Sequence, residues 1–471
     1  MNVVLFGILG YILFQLLLGY FVSRNIRTED DYLLAGRRLG YGLATFSIFA
    51  TWFGAESCIG TAGAAYSNGL AGVSADPFGY GVCLILMGLL FAIPLWKMNL
   101  TTIADFFRVR FSGSAERITA ILMVPTSLLW AAAQIRAFGQ VLSASSELGV
   151  TIAVTIAAAV VIAYTVSGGM LADAITDIVQ GSILVLGLAM LFPIVINDLG
   201  GISQAFSTIG KEALSFVPSE SEASGWQGLR IAEAWAIPIC GSLIAQELVS
   251  RVIASRSPKV ARRSSLVAGG MYILVGLIPL SIGLLGAGVA PGLKYPEQIL
   301  PLMAQRHLST FLYALFAGAL VSAILSTVDS ALLAASGLLS HNILIPLKPG
   351  MTDVQKVRLE RWGVAVLGLL AYVLALYAEG VYGLVKDASS FGSAGICIVF
   401  LFGLFSSFGG KRSAVAALSV GAAVWLVGHY FYDFEFSYLL SLASSLIVYV
   451  VFGFVDPRVK KLHDRDVGHL S

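Results

Sequence analysis

Apolar runs of about 20 residues, each closed by charge or turn signals, succeed one another along almost the whole chain. A run of that length crosses the hydrocarbon of a bilayer as a helix. The expected spans are 3–23, 39–68, 78–98, 116–146, 149–167, 170–196, 229–254, 263–289, 308–341, 357–378, 381–407, 411–430 and 435–455. Of the 471 residues 12% are charged and 57% are hydrophobic, whereas soluble domains carry roughly 25% charge. The fold class expected is therefore an all-α integral membrane protein with thirteen transmembrane helices. Val3–Phe21 lacks a basic leader and a small-residue cleavage site, so it reads as a first transmembrane helix and not a signal peptide.

The basic residues sort by loop. Arg24, Arg27, Arg37 and Arg38 follow the first span, and alternate loops carry Lys97, Arg108, Arg110 and Arg117, then Arg251, Arg256, Lys259, Arg262 and Arg263. Lys348, Lys356, Arg358 and Arg361, then Lys411 and Arg412, then Arg458, Lys460, Lys461 and Arg465 continue the series. Cytoplasmic loops collect Lys and Arg, so the expected topology is a multi-pass protein of the cell membrane, N-terminus outside and C-terminus cytoplasmic. The polar segment Asn197–Gly228, with its single Lys211, is an expected outer loop.

Several function classes lose support. A net charge of +2 without a basic cluster gives no nucleic-acid surface. Cys58, Cys83, Cys240 and Cys397 stand singly in apolar segments and read as small core residues. No G-x-x-x-x-G-K-[ST], H-E-x-x-H or G-x-S-x-G occurs, so neither an ATP site nor an enzyme is expected, and no cofactor.

Ionisable residues inside the spans cost several kcal/mol each in hydrocarbon and default to functional candidates. They are Glu56 in the second span, Arg136 in the fourth, Asp173 and Asp177 opening the sixth, Glu247 ending the seventh and Asp329 in the ninth. Glu247 and Arg251, at i and i+4, read as an ion pair on a helix surface. Two spans also look interrupted: the second has Gly54 and Gly60 around Glu56 and Ser57, and the seventh has Pro238 and Gly241. With the first span set aside, these open the two halves of a five-plus-five array. Interrupted helices in corresponding positions point to an inverted-repeat transporter with a midplane site. The expected organisation is one transporter domain: an extra helix at 3–23, repeats at 39–196 and 229–407, and two final helices at 411–455. Two unremarkable Gly/Pro kinks would give the same letters.

In the ninth span, Ala323, Ser326, Thr327 and Ser330 recur at i, i+3, i+4 and i+7 and share one helical face. Hydroxyls and freed carbonyls are the hard oxygen ligands an alkali cation takes, and an unwound second helix could add more. Packing between helices is the competing use of such a face.

Three segments carry a resemblance: "LSTVDSALLAAS" (Leu325–Ser336), "SGGMLADAITDIVQG" (Ser167–Gly181) and "GRRLGYGLATFSIFATW" (Gly36–Trp52). By these the chain resembles the sodium:solute symporter family over most of its length. The resemblance implies a leucine-transporter (LeuT)-type core in the second to eleventh helices, and sodium as the coupling ion. It implies sodium ligands at the Ala50 and Phe53 carbonyls, the Ala323 carbonyl and the Ser326 and Thr327 hydroxyls. It also implies a second sodium site or a proton-coupling role around Asp177, Asp329 and Ser330. "ATWFG" (50–54), "GTAGAAY" (60–66) and "WAAA" (130–133) resemble the choline-transporter branch, with Trp52 and Trp130 at aromatic-cage positions and Ala245 where that branch has a further tryptophan. Arg136 matches the proline-symporter branch and could grip a carboxylate.

The substrate candidates are Trp52, Glu56, Ser57, Trp130, Arg136 and Gln246. Glu56 and Arg136 could hold the two ends of a zwitterion, or simply pair with each other. The expected function is sodium-coupled import of a small zwitterionic or cationic solute, such as an amino acid, a betaine or a choline-like compound. A transporter-like sensor without net transport is the alternative, disfavoured by the short tail after Val455. Expected partners are the bilayer, sodium and the solute, and no nucleic acid.

Overall fold

A computed structural model describes residues 27–456 apart from 145, 147, 168, 217–225 and 379; before residue 27 it describes only 10, 13, 14, 17 and 21. The expected first span at 3–23 lies largely outside the described residues, and so does the basic tail beyond 456. The described residues are helical throughout, with no strand and one isolated bridge between Leu39 and Ser255.

The principal helices are α1 (Tyr41–Trp52), α2 (Thr61–Asn68), α3 (Gly113–Ala144), α4 (Val150–Ser167) and α5 (Met170–Asp198). Then come α6 (Gln227–Ser242), α7 (Gln246–Ala254), α8 (Pro258–Val289), α9 (Thr310–Leu339) and α10 (Asp353–Tyr377). The last are α11 (Val381–Ser390), α12 (Ser393–Phe405), α13 (Lys411–Leu426) and α14 (Ser437–Gly453). Among the described residues, seven helical stretches are long and apolar enough to cross a bilayer, and two bent pairs raise this to nine: α6 with α7, bent 45°, and Gly383–Ser390 with α12, bent 40°. Val150–Val166 and α14 are shorter apolar helices.

Local chemistry sets the boundaries. Ser257 and Ser309 cap α8 and α9 by accepting from the Val260 and Leu312 backbone N–H groups, and Thr352 with Gln355 forms a reciprocal cap on α10. α9 lies at the centre, with 78% of its most apolar window buried; for α10 the share is 33%. Around α9 pack α3, α5 and α10.

The loops that carry Lys and Arg meet on one face. Leu39 donates its N–H to the Ala254 carbonyl and accepts from Arg256 N–H; Arg37 reaches the Leu100 carbonyl at 2.7 Å. Glu29 joins His341 (2.5 Å) and Lys356 (3.0 Å) on that face, and Asp456 caps the start of α13 through Ser413. The intervening loops meet at the opposite end: His307 contacts Asp198, Glu297 accepts from Val381 N–H, and Arg230 pairs with Glu435 at 2.5 Å.

Two sequence expectations change here. The seventh span does break, but Pro238 and Gly241 stay within α6, which ends at Ser242, and the chain is out of helical geometry at Ala245, with ψ 132°. Gly241 serves a close approach instead, because a Cβ there would lie 2.1 Å from the Ser389 carbonyl oxygen. The expected surface pair of Glu247 and Arg251 is not on a surface. Both are buried: Glu247 accepts from Ser127 at 2.5 Å, and Arg251 pairs with Asp173.

Candidate functional site

The site begins where α1 stops. Phe53, at φ −90° and ψ 67°, is outside helical geometry, and the chain resumes through a wide turn at Glu56–Gly60 into α2. Gly54 is required by proximity: a Cβ there would fall 2.5 Å from Thr327 Oγ1 and 2.9 Å from Gln134 Oε1. The break is thus pressed against α9 and α3.

Of the expected sodium ligands, three converge. Thr327 Oγ1 lies 3.4 Å from the Ala50 carbonyl oxygen and 3.2 Å from the Ala323 carbonyl oxygen. Phe53 is the break residue itself. Ser326 turns its hydroxyl to Asp177, which also accepts from Ser47 at 2.6 Å. Beyond lies a buried polar cluster. Arg251 pairs with Asp173 and donates to Ser330, its Nε reaches Ser47 at 3.1 Å, and it stands 3.9 Å from Asp177. Ser330 also lies 3.3 Å from Thr51 Oγ1, which ties the cluster to α1. Asp329 is buried with no hydrogen-bond partner on either oxygen.

On the other side of the break, the substrate candidates divide. Trp52 and Trp130 meet edge to face at 5.4 Å, and Tyr80 joins them at 5.5 and 6.1 Å, forming an aromatic bank. Glu56 accepts from Gln134 at 2.6 Å, and Gln134 in turn accepts from Ala55 N–H at 2.9 Å. Ser57 lies 2.6 Å from the Tyr272 hydroxyl and donates to Asp76 at 2.9 Å, where Tyr272 also donates. Glu56, Asp76 and Tyr80 line a cavity of about 290 Å³ with Arg230, Glu233, Pro238, Lys386 and Glu435.

The two remaining candidates lie elsewhere. Arg136 donates to the Ala375 carbonyl at 3.0 Å and lines a separate cavity with Tyr295 and Glu297. Its contact is therefore not Glu56, whose partner is Gln134. Gln246 accepts from Ile103 N–H at 2.8 Å, capping a short helix on the loop side. Trp52, Trp130, Ala245, Glu247 and Thr327 enclose a void of about 10 Å³, roughly the room one water needs.

Sequence reasoning missed Asp76, Gln134, Tyr80 and Tyr272. Asp76 stands in the short stretch between two expected spans, and the others are uncharged, so a scan for charges inside apolar runs passes over them. A scan for all side chains with hydrogen-bonding groups near a broken helix would have found them.

A broken helix against a hydroxyl-bearing central helix, with a polar cavity at the break, defines a membrane transporter of the LeuT-like class. The family model described as the sodium:solute symporter family matches residues 32–421, and the chain belongs to that family. The high-affinity choline transporter 1 of Caenorhabditis elegans is 28% identical over 388 residues, 77% of this chain and 66% of that protein. The human high-affinity choline transporter 1 is 28% identical over 408 residues, 81% of this chain and 69% of its own length. The chain thus spans about two thirds of the length of these choline transporters. The osmoregulated proline transporter OpuE of Bacillus subtilis is 23% identical over 468 residues, 94% of this chain and 93% of its own. Among solved structures, the substrate-bound outward-open state of a sodium-coupled sialic acid symporter matches with a TM-score of 0.86 at 20% identity, covering 98% of each chain. That likeness bears on the fold alone. The family and these relatives are transporters, not enzymes.

Proposed function

We propose that this chain is a sodium-coupled symporter that imports a small polar organic solute, zwitterionic or cationic, by alternating access. The observation that carries the proposal is the break at Phe53–Ala55 held against Thr327, with the Ala50 and Ala323 carbonyls facing the same hydroxyl. The Ala50 carbonyl freed at the end of α1, the Ala323 carbonyl within α9 and a hydroxyl are hard ligands suited to a sodium ion. They sit between the aromatic bank and the Asp177 cluster, so one ion can bias both sides of the break. In this reading the Phe53 carbonyl and the Ser326 hydroxyl complete the ion's shell, and Ser326 exchanges Asp177 for the ion. Asp177, Asp329 and Ser330 form a second sodium site or carry a proton.

The solute occupies the cavity at Glu56, with Trp52 and Trp130 behind Tyr80 and Ser57 behind Asp76; Arg136, at its own cavity, and Gln246, at a helix cap, stand outside it. Residues 39–196 and 229–407 are the two five-helix repeats, preceded by 3–23 and followed by 411–455. The protein lies in the cell membrane with the loops rich in Lys and Arg in the cytoplasm.

Proteoliposomes test this reading. With a panel of labelled amino acids, betaines and amines, uptake should require higher sodium outside than inside. Uptake that is equal without sodium would contradict it. Binding without any uptake would favour the sensor alternative.

A further inference from the structure

The cavity at the break is lined by two carboxylate residues, each with one oxygen that has no hydrogen-bond partner and is closed off in the empty protein, so a ligand reaches it only as the cavity wall adjusts. Glu56 and Asp76 are 1% and 2% exposed. Each has one oxygen engaged: Glu56 Oε2 by Gln134, and Asp76 Oδ2 by both Ser57 and Tyr272. Glu56 Oε1 and Asp76 Oδ1 have no hydrogen-bond partner, and both residues line the same cavity of about 290 Å³. A buried acceptor left unpaired is costly, and more so when it is charged. Among the described residues, no lysine or arginine comes within salt-bridge distance of either carboxylate; of the two cations that line the same cavity, Arg230 is held by Glu435, and Lys386 makes no ion pair with Glu56 or Asp76. The two acids are therefore uncompensated by the protein, and the hydroxyls of Ser57 and Tyr272 hold Asp76 in place. Tyr80 connects the cavity to the aromatic bank of Trp52 and Trp130.

We propose that Glu56 and Asp76 form the recognition site for a nitrogen cation bearing at least two N–H donors, a primary ammonium or a guanidinium, and that the site discriminates against quaternary ammonium. This rests on the transport reading above and names the substrate class of that site. The chemistry separates the two kinds of cation. Aromatic faces attract any cation, and a cavity with aromatic walls alone would accept a fully methylated nitrogen. Two free carboxylate oxygens call for donors as well as charge. A primary ammonium or guanidinium supplies both through charge-assisted hydrogen bonds, whereas a quaternary nitrogen has no N–H and leaves both oxygens unpaired. A site built to hydrogen-bond its ligand rejects an analogue that lacks the donor far more strongly than an apolar pocket rejects an extra methyl.

The test uses the purified full-length protein and pairs of compounds that differ only in N-methylation: methylammonium and tetramethylammonium, ethanolamine and choline, glycine and glycine betaine. Putrescine and agmatine complete the panel. Melting temperature is followed against concentration, in sodium and again with potassium replacing it, since a ligand that binds the folded state raises it. The best ligand should carry two or more N–H groups, and full methylation should weaken it about tenfold or more. Glu56→Gln and Asp76→Asn should each weaken the best ligand by a similar factor, with ligand-free melting curves showing that both variants fold. A quaternary compound that matches its N–H parent, N–H ligands that ignore both substitutions, or a panel in which no N–H cation stabilises would each overturn the proposal. If either variant does not fold, the methylation series on the unaltered protein decides alone. The two readings fail differently. A wrong coupling assignment makes the sodium and potassium series coincide while the ranking of amines persists. A wrong substrate class keeps the sodium dependence but gives the ranking to the quaternary compounds.

Discussion

The two sides of the helix break contain similar residues in opposite states. Toward α5 and α9, Asp173 and Asp177 are answered by Arg251, Ser47, Ser326 and Ser330. Toward the cavity at the break, Glu56 and Asp76 are equally buried, yet each keeps a bare oxygen and, among the described residues, has no lysine or arginine at ion-pair distance. The Arg251-centred pairing of Asp173 and Asp177 mainly fixes geometry, because removing one member leaves the others unpaired, although Asp329 on the same side keeps both oxygens bare. An unsaturated network is costly to the empty protein, and a ligand that completes it gains that energy on binding. The break residues Phe53 and Gly54 join the two, so under the proposed function an ion held at Thr327 would tune the cavity from the rigid side.

The sharpest way to break this comparison is Arg251→Met. It leaves two buried carboxylates without their cation and should cost about 3–5 kcal/mol, seen as a large fall in melting temperature or loss of folded protein in detergent. Adding Asp173→Asn should recover part of the loss, which separates a charge effect from a packing effect. A smaller change of opposite sign is expected for Glu56→Gln. It keeps an acceptor for Gln134 and removes an uncompensated charge, so the empty protein should melt at the same temperature or higher, by up to about 1–3 kcal/mol, while ligand stabilisation falls. A drop like that of Arg251→Met would show that the two regions are not different in kind.

The smallest effect concerns the cluster around Glu29 on the face rich in Lys and Arg. Burial pushes the Glu29 carboxyl up, but His341 and Lys356 outweigh it and hold Glu29 below its ordinary 4.5. A depressed carboxylate contributes stability above its ordinary value and loses it as pH falls toward the folded-state value. Over the pH range in which His341 stays protonated, the melting difference between the native chain and Glu29→Gln should therefore be constant above pH 4.5 and shrink below it. Lys356→Ala, which breaks a partly exposed pair, should cost only about 0.2–1 kcal/mol.

Much of the scaffold was legible because length and apolarity are local properties: a run such as 170–196 becomes α5, Met170–Asp198, with little reference to the rest. The break in α1 was also legible, since glycine beside a charge inside an apolar run has few structural explanations. What the letters could not carry was pairing at long range. Glu56 finds Gln134, 78 positions away, and Arg251 finds Asp173, also 78 positions away. The i, i+4 spacing of Glu247 and Arg251 looked like a surface pair because spacing reports a shared face and not what that face meets. Asp76 was passed over for a related reason: its place between two apolar runs gave no sign that the chain folds it back onto Ser57 and Tyr272.

The central claim is that the break in α1 and the Thr327 face of α9 hold a sodium ion. Equilibrium binding of radioactive sodium to the purified protein, with no solute present, tests it most directly. The account predicts saturable binding that is weakened several-fold in Thr327→Ala, with a melting temperature near that of the unaltered chain in potassium. Sodium binding of the same strength in both proteins, or no saturable binding in either, would contradict it.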